Sequence, residues 1–358
     1  MVNQTLVLKV DPENPDPEAI ERAAAIILEG RLVAFPTETV YGLGANALDA
    51  DAVAGIFRAK ERPAYDPVIV HLSDPRQLPL VVAHIPEIAW ELAAQLWPGP
   101  LTLVLERGSR IPAIVTSGGT TVAVRVPAHP VARALVECAG VPIAAPSANR
   151  FGQVSPTRAE HVLADLGGRI DLVLDGGPSA VGLESTVLSL VDSVPTILRP
   201  GGVSREVLEQ LLGRVEVQRR VLSGDEPLTS PGTTEKHYAP KAELILYSGR
   251  RETVLTAMRE AVQRYLAAGE RVGVLLAEED LAAFAGLQVC SQLLGSLDSL
   301  AQIAQQLYAS LRALDEQGVT VILTRDFGEC GLGLAIRDRL TRAAAGRVVK
   351  VSEQSLNS

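Results

Sequence analysis

The chain has 358 residues, of which 47% are apolar, 21% charged and 4% aromatic, and its formal net charge is −9. This apolar content excludes a disordered chain, and the length predicts two domains. There is no apolar run of about 18 residues and no signal-peptide pattern, so we expect neither a membrane span nor export.

Charge and cysteine usage narrow the function classes further. Residues 1–215 hold 17 Lys and Arg against 24 Asp and Glu, and the remainder of the chain is also acidic. This charge balance disfavours a protein whose main function is to bind nucleic acid. The cysteines Cys138, Cys290 and Cys330 lie far apart, so neither a disulfide framework nor a thiolate zinc site is indicated. A cytoplasmic protein is predicted.

From Leu6 to about Arg214, short apolar strands alternate with amphipathic helices. Strands are predicted over 6–10, 31–36, 68–72, 101–106, 121–127, 141–146, 171–175, 185–191 and 196–200. Helices are predicted over 17–29, 50–60, 85–96, 130–139, 158–166 and 204–212, the last capped by Ser204. The unequal connections exclude a regular βαβ barrel and favour one large twisted mixed sheet flanked by helices, hence an α/β class.

The second part of the chain differs in pattern. A polar stretch over 216–241 ends in SPGTTEKHYAP, which is rich in turn-forming residues and predicts a linker. Strands over 243–248, 271–277 and 319–325 then alternate with helices over 252–267, around 297–316 and near the end, which predicts a small Rossmann-like α/β domain. The predicted domains are 1–215, a linker at 216–241, and 242–358.

Polar residues beside Gly or Pro mark several predicted strand ends. In PTETVYGLG, Thr37 and Thr39 precede two glycines that allow a ligand to approach the backbone, although a glycine-rich turn with solvated hydroxyls explains the segment better when it is taken alone. In KERPAYDPVIVH, Lys60 and Arg62 leave a helix together and suit a polyphosphate; the alternative is a solvated helix C-terminus. His71 ends the next strand, facing either a cleft or the core.

Arg125 interrupts an apolar strand in TSGGTTVAVRVP, on the face opposite its neighbouring valines. Its planar guanidinium needs an anion, either a ligand carboxylate or an acidic residue of the chain, unless the side chain is simply exposed on an amphipathic strand. Ser147 and Asn149 in APSAN follow another apolar run and suit a small polar group. Each fragment is a weak signal alone, but their order and spacing carry more weight.

These fragments together resemble the threonylcarbamoyl-AMP synthase family of the YrdC-like superfamily, in its two-domain form. The resemblance rests on PTETVYGLG, KERPAYDPVIVH, LWPGPLTLVL, AVRVP, PIAAPSAN, STV, ILRPG, SPGTTEKHYAP and GLGLAIRDRLTRAA. It implies an enzyme that forms threonylcarbamoyl-AMP and pyrophosphate from L-threonine, bicarbonate and ATP. Partner proteins would then transfer the threonylcarbamoyl group to tRNA next to the anticodon. The resemblance also implies a YrdC-like first domain.

The resemblance also assigns site residues. Threonine would contact Thr39, His71, Arg125 and Ser185, with Arg125 on its carboxylate. ATP would contact Lys60, Arg62, Asp66, Thr121, Ala145, Ser147, Asn149, Ser155, Arg199 and Tyr238, with Lys60 and Arg62 as the catalytic cations. Magnesium is expected with ATP, because a triphosphate in an acidic protein needs a divalent partner. The linker with His237 and Tyr238 would close over the site.

Some positions depart from the family pattern. Asp66 replaces a common Asn, which puts a carboxylate close to the nucleotide, and Ser189 replaces a frequent Asp. Two other functions remain open: an RNA-binding module in which the cations hold a phosphate backbone, and transfer of a carbamoyl group to a different acceptor. Weak contact with tRNA is also considered, because the pathway that the resemblance implies ends on tRNA. The segment GECGLGLAIRDRL resembles a nucleotide-binding turn but lacks the third glycine, which favours a tightly packed helix start.

Overall fold

The computed structural model describes residues 4–218 and 238–352. These residues form two compact units, one of residues 4–151 and 155–218, the other of residues 152–154 and 238–352. Most of the predicted linker, including His237, lies outside the described residues, so the linker and the exact domain limits stay predictions. Within the described ranges, no helix is both long and apolar enough to cross a bilayer.

The first unit is built on a mixed sheet of eleven described strands in the order β1-β8-β2-β3-β7-β4-β6-β5-β9-β10-β11. The strands are β1 Leu6–Lys9, β2 Val33–Phe35, β3 Gly42–Asn46, β4 Val70–His71, β5 Leu101–Glu106, β6 Thr121–Arg125, β7 Ile143–Ala144, β8 Leu172–Asp175, β9 Thr186–Ser189, β10 Thr196–Arg199 and β11 Glu216–Val217. The predicted α/β class and mixed sheet are confirmed.

Six α-helices pack on this sheet within the described residues. They are α1 Pro17–Leu28, α2 Ala50–Lys60, α3 Glu87–Leu96, α4 Pro130–Ala139, α5 Ala159–Leu166 and α6 Arg205–Leu212, with 3-10 turns at Pro75–Leu80 and Ala113–Thr116. Capping residues and a following proline set the ends of two of these helices. The side chain of Ser204 accepts a hydrogen bond from the Val207 amide, as its position predicts, and α2 ends at Glu61 in a left-handed conformation just before Pro63.

Two apolar clusters hold the sheet from its two sides. One joins the buried faces of α1 and α4 to β2 and β8, through residues such as Ile27, Phe35 and Leu135. The larger one joins α2, α3 and α5 to the central strands, through residues such as Ile56 and Val124. A sheet covered on both faces explains why its strands read as continuous apolar runs.

Strand β3 was not predicted, since the two glycines of PTETVYGLG indicate a turn. The structure places Gly42 and Gly44 inside a strand that pairs with β2. A Cβ atom on Gly44 would lie 2.8 Å from the Phe35 ring and 2.9 Å from Ile143 Cγ2. Packing between neighbouring strands therefore requires a glycine at position 44.

We expect Gly44→Ala to destabilise the protein by about 1–3 kcal/mol, because the added methyl group overlaps two buried side chains. Gly42→Ala is a matched control in the same strand, since its nearest contact would be an ordinary 3.4 Å. Chemical denaturation of both variants measures the difference. Equal unfolding midpoints for the two variants would contradict this account of β3.

The second unit contains a smaller parallel sheet in the order β14-β13-β15-β12-β16. Its elements are β12 Glu243–Gly249, α7 Arg251–Ala267, β13 Val272–Leu276, a 3-10 segment Glu278–Phe284, β14 Cys290–Leu293, α8 Leu300–Glu316, β15 Val321–Arg325, α9 Gly333–Ala343 and β16 Val348–Val351. The α/β class predicted for this second part of the chain is confirmed. The two unpredicted strands, β14 and β16, are the partly exposed edges of this sheet and lack a clear apolar pattern.

Helix α9 starts within the segment GECGLGLAIRDRL, as predicted from the missing third glycine. A Cβ on Gly333 would lie 3.0 Å from the carbonyl oxygens of both Phe327 and Gly328. This glycine therefore allows the start of α9 to pack closely on the preceding turn.

Candidate functional site

Five neighbouring strands bring their polar ends to one edge of the large sheet. β4 and β6 are parallel, with His71 opposite Arg125, and both end there. β5 runs antiparallel to β6 and parallel to β9, so Thr102 and Ser185 lie at the same edge. β10, antiparallel to β9, ends there with Arg199. Residues far apart in sequence therefore meet because the strand directions bring them together.

Arg125 is buried at this edge, with 3% of its surface exposed. Its Nη1 donates a hydrogen bond to Thr39 Oγ1 at 2.9 Å, and its Nη2 lies 2.6 Å from Glu38 Oε1. The acidic partner within the chain that the sequence left open is thus Glu38. The structure also joins Thr39 to Arg125, two of the residues assigned to threonine.

His71 is buried beside Arg125, with its ring edge-on to Phe35 at 6.2 Å between centroids. Its Nδ1 has no hydrogen-bond partner among the described residues. Burial, reinforced by the positive charge of Arg125, lowers the pKa of His71 to about 3. His71 therefore carries a neutral imidazole at physiological pH, buried next to Arg125.

This pKa predicts a loss of stability in mild acid. The folded state holds His71 neutral down to about pH 3, whereas the unfolded chain takes up a proton below about pH 6.5. The contribution of neutral His71 to the free energy of unfolding is complete above pH 6.5. It is lost as the pH falls from 6.5 to about 3, the pKa of His71 in the folded state. His71→Asn should remove about 2 kcal/mol of the destabilisation between pH 7 and pH 5, measured by urea unfolding. If the free energy of unfolding fell by the same amount between pH 7 and pH 5 in the wild type and in His71→Asn, His71 would titrate normally.

Ser185 lies in a polar network with the neighbouring strands. Its Oγ lies 2.7 Å from Thr102 Oγ1, and Arg199 donates to its carbonyl oxygen at 3.1 Å through Nη2. The adjacent Glu184 accepts a hydrogen bond from Ser155 Oγ at 2.6 Å. Ser155 and Arg199, assigned to ATP, therefore lie directly beside Ser185, assigned to threonine.

Lys60 is also buried, so the alternative of a solvated helix end is wrong. Only 1% of its surface is exposed, and its Nζ donates to the carbonyl oxygens of Ser147 and Asn149. Burial, together with the charge of Arg62, holds the pKa of Lys60 well below its usual range, and Asp66 opposes this. A buried cation of this kind is stabilised by any anion that binds next to it.

Arg62 continues this charged group, and its pairing explains Asp66. Arg62 Nη2 lies 2.9 Å from Asp66 Oδ1, and its Nε donates to the Asp66 carbonyl oxygen at 2.9 Å. The fully buried Asp66 carboxylate therefore balances the charge of Arg62. This pairing reduces the repulsion that the Asp66 carboxylate would otherwise exert on a nearby phosphate group.

Backbone contacts hold the remaining segments of the first unit together. The Ala148 amide donates to the Tyr41 carbonyl at 2.8 Å, and the Tyr41 amide donates to the Pro156 carbonyl at 2.9 Å. The segments that carry Thr39, Ser147, Asn149 and Ser155 therefore lie side by side.

The other predicted residues are more dispersed. Ala145 donates its amide to the Ile69 carbonyl at 2.8 Å, next to the start of β4. Thr121 begins β6 and so lies at the opposite end of this strand from Arg125. Tyr238 belongs to the second unit, where its ring stacks on Tyr308 at 5.8 Å and faces the Arg339 guanidinium at 5.1 Å.

Sequence reasoning did not select Glu38, Thr102 or Glu184. Glu38 gave a signal, because it stands between the two threonines of PTET and follows a wholly buried strand. Thr102 lies within an apolar strand and gives no such signal.

The described residues contain no group of three His, Cys, Asp or Glu side chains placed to hold a metal ion.

Comparison with known proteins gives matches along both units. A family model of Sua5, YciO and YrdC proteins, described as "Telomere recombination", matches residues 25–201. A second, described as "Threonylcarbamoyl-AMP synthase, C-terminal domain", matches residues 203–345.

Relatives match over nearly the full length. Threonylcarbamoyl-AMP synthase of Bacillus subtilis is 46% identical over 94% of this chain and 95% of its own. The enzyme of Pyrococcus abyssi is 44% identical over 93% and 96%. The crystal structure of P. abyssi Sua5 complexed with L-threonine matches with a TM-score of 0.91 and 43% identity, over 97% of this chain and all of that one.

Proposed function

The chain belongs to the threonylcarbamoyl-AMP synthase family, and we propose that it forms threonylcarbamoyl-AMP and pyrophosphate from L-threonine, bicarbonate and ATP. The observation that carries the proposal is the full-length similarity to an enzyme of known structure with L-threonine. In that reaction the threonine amine and bicarbonate give a carbamate and water. A carbamate oxygen then attacks the α-phosphorus of ATP, and pyrophosphate leaves.

The reaction needs no protein nucleophile, so binding and charge stabilisation are the main catalytic tools. In the proposal Arg125 binds the threonine carboxylate, with Thr39, His71 and Ser185 around the rest of the molecule. The neutral His71 suits contact with a hydroxyl group, because it can accept or donate a single hydrogen bond.

The buried cations Lys60 and Arg62 bind the nucleotide in this proposal. Lys60 and Arg62 face the phosphates and stabilise the negative charge that develops on the leaving pyrophosphate. The remaining contacts proposed for ATP are those of Asp66, Thr121, Ala145, Ser147, Asn149, Ser155, Arg199 and Tyr238. Magnesium would accompany ATP and would offset part of the charge of its phosphates.

The product is a reactive mixed anhydride, so it must pass to proteins that transfer the threonylcarbamoyl group to tRNA. We propose that this chain acts in the cytoplasm together with these transfer proteins. Its own contact with tRNA is at most weak, because the chain has an acidic net charge.

The test follows carbon from bicarbonate into the nucleotide. Purified protein is incubated with ATP, magnesium, L-threonine and 13C-bicarbonate, and the products are resolved by mass spectrometry. The proposal predicts a threonylcarbamoyl-AMP ion that carries one 13C and is absent without threonine. Production of unlabelled AMP alone would overturn it.

A further inference from the structure

Three arginines converge on a cavity of about 400 Å³ in the first unit, here named the arginine pocket. Arg31, Arg58 and Arg169 line it together with one carboxylate, that of Asp171. They come from the turn before β2, the last turn of α2 and the turn before β8. The described residues that line this pocket include none that is assigned to threonine or ATP, so it is distinct from the site described above.

The only carboxylate that lines the described part of the pocket is already used by the protein. Asp171 accepts a hydrogen bond from Arg31 Nη1 at 3.2 Å and another from the Leu32 amide at 3.0 Å. Glu29 accepts from Arg31 Nε at 3.0 Å and so binds the other side of this guanidinium. Arg31 and Asp171 therefore form a paired wall of the pocket, and this carboxylate opposes an incoming anion only weakly.

The other two arginines keep unused donors. Arg169 donates through Nη1 to Glu61 Oε1 at 2.6 Å and to the Ala59 carbonyl at 3.4 Å, and its Nε and Nη2 have no acceptor among the described residues. Arg58 has no acceptor in that part of the chain. Two guanidinium groups with unfilled donors thus line the same small cavity.

Gly55 leaves the helix side of the pocket bare. It lies inside α2, where glycine is less favourable than alanine. A Cβ atom there would make only ordinary contacts, 3.5 Å from Leu32 Cδ2 and 3.8 Å from Arg58 Nη2. Packing therefore does not require this glycine, in contrast to Gly44, and the missing side chain leaves room beside the Arg58 guanidinium.

The unused donors match a phosphate group. Its oxygens form a tetrahedron and accept from two guanidinium forks at once, whereas one fork already fills a carboxylate. The C-terminus of α2 disfavours an anion, but this effect is weaker than that of two charge-assisted hydrogen bonds. A cavity of this volume admits a small phosphorylated molecule.

The charges around the pocket disfavour a nucleic acid as its ligand. Glu29 and Glu61 are paired with Arg31 and Arg169, and their side chains are 58% and 59% exposed. These two carboxylates would repel the neighbouring phosphates of an RNA strand, which extends beyond the pocket. A compact anion between the arginines avoids this repulsion.

We propose that the arginine pocket binds the phosphate group of a small molecule through Arg58 and Arg169. The phosphate is either inorganic or part of a phosphomonoester, since both present the same dianion. This site goes beyond the proposed function and does not depend on it.

The test titrates the full-length protein with inorganic phosphate and with glycerol 3-phosphate, by isothermal titration calorimetry. Arg58→Gln removes a guanidinium that has no described partner to lose, and Gly55→Ala fills the space beside it. Arg22→Gln is the matched control, because Arg22 is an exposed arginine on α1 that does not line the pocket. Any binding at the nucleotide site is common to these proteins, so their differences report on the pocket.

We expect Arg58→Gln to weaken phosphate binding by at least about tenfold and Gly55→Ala by about three- to tenfold, while Arg22→Gln changes it by less than about twofold. Gly55→Ala should also raise the melting temperature, because alanine favours the helix. Weaker binding to a more stable protein cannot come from a damaged fold. The probe that binds more tightly identifies the source of the phosphate.

An unchanged dissociation constant in Arg58→Gln, or equal weakening in Arg22→Gln, would overturn the inference. So would a single-stranded RNA oligonucleotide that binds more tightly than phosphate and loses this affinity in Arg58→Gln, because the occupant would then be a nucleic acid.

A crystal soaked with arsenate locates the anion directly, since arsenate has the shape and charge of phosphate and scatters X-rays anomalously. Its oxygens should lie within hydrogen-bond distance of Arg58 and Arg169. Arsenate bound only beside Lys60 and Arg62 would contradict the proposed site.

Discussion

Arg125→Lys is expected to raise the KM for threonine by about 100-fold and to leave the KM for ATP within about threefold of the wild type. Lysine keeps the positive charge that Glu38 requires, so the fold is retained, but it loses the planar pair of donors that matches a carboxylate. It also loses the hydrogen bond from Nη1 to Thr39. Steady-state pyrophosphate release, with each substrate varied in turn, measures both constants.

The matched control for this variant is Arg133→Lys, which changes an exposed arginine on α4. It should leave both KM values unchanged. Equal increases in the two KM values of Arg125→Lys would show that the residue supports the whole site and does not recognise threonine.

Lys60→Met is expected to lower kcat/KM for ATP by about 10²- to 10³-fold, because it removes a buried cation placed next to the proposed phosphate position. The methionine side chain fills much of the space of the lysine stem. It cannot donate to the Ser147 and Asn149 carbonyl oxygens, which costs about 1–3 kcal/mol for each carbonyl left without a donor. Activity must therefore be measured below the unfolding temperature of the variant.

Arg58→Met provides the control, since Arg58 is an exposed cation on the same helix. This change should leave kcat/KM for ATP unaltered. If folded Lys60→Met kept more than about a third of the wild-type value, Lys60 would act in positioning the loop at Ser147 and not in the chemistry.

Local chemistry explains which parts of the fold could be predicted from sequence. Helix α2 is predicted to the residue because Asp49 caps its start and Pro63 prevents its continuation. Strand β5 is predicted equally well because its apolar run is bounded by Pro100 and a charged residue. Strand β3 was missed, because the reason for its glycines is the Phe35 ring on a neighbouring strand, which no local pattern reveals.

The site shows the same limit. The residue types and their order point to Arg125, since an arginine amid apolar neighbours needs an anion, and to Lys60, since it leaves its helix together with Arg62. Their partners depend on contacts between distant segments. Arg125 and Glu38 are 87 positions apart, and Lys60 reaches carbonyl groups 87 and 89 positions away. These pairings follow from the sheet topology and could not be derived from spacing along the chain.

The most direct measurement of the central claim is pyrophosphate release from ATP and magnesium, with threonine and bicarbonate omitted in turn and L-serine and L-valine as substitutes. The account predicts release that requires both threonine and bicarbonate and is fastest with threonine. Release that proceeds equally without threonine, or no release from protein shown to be folded, would contradict the account and favour RNA binding or a different carbamoyl acceptor.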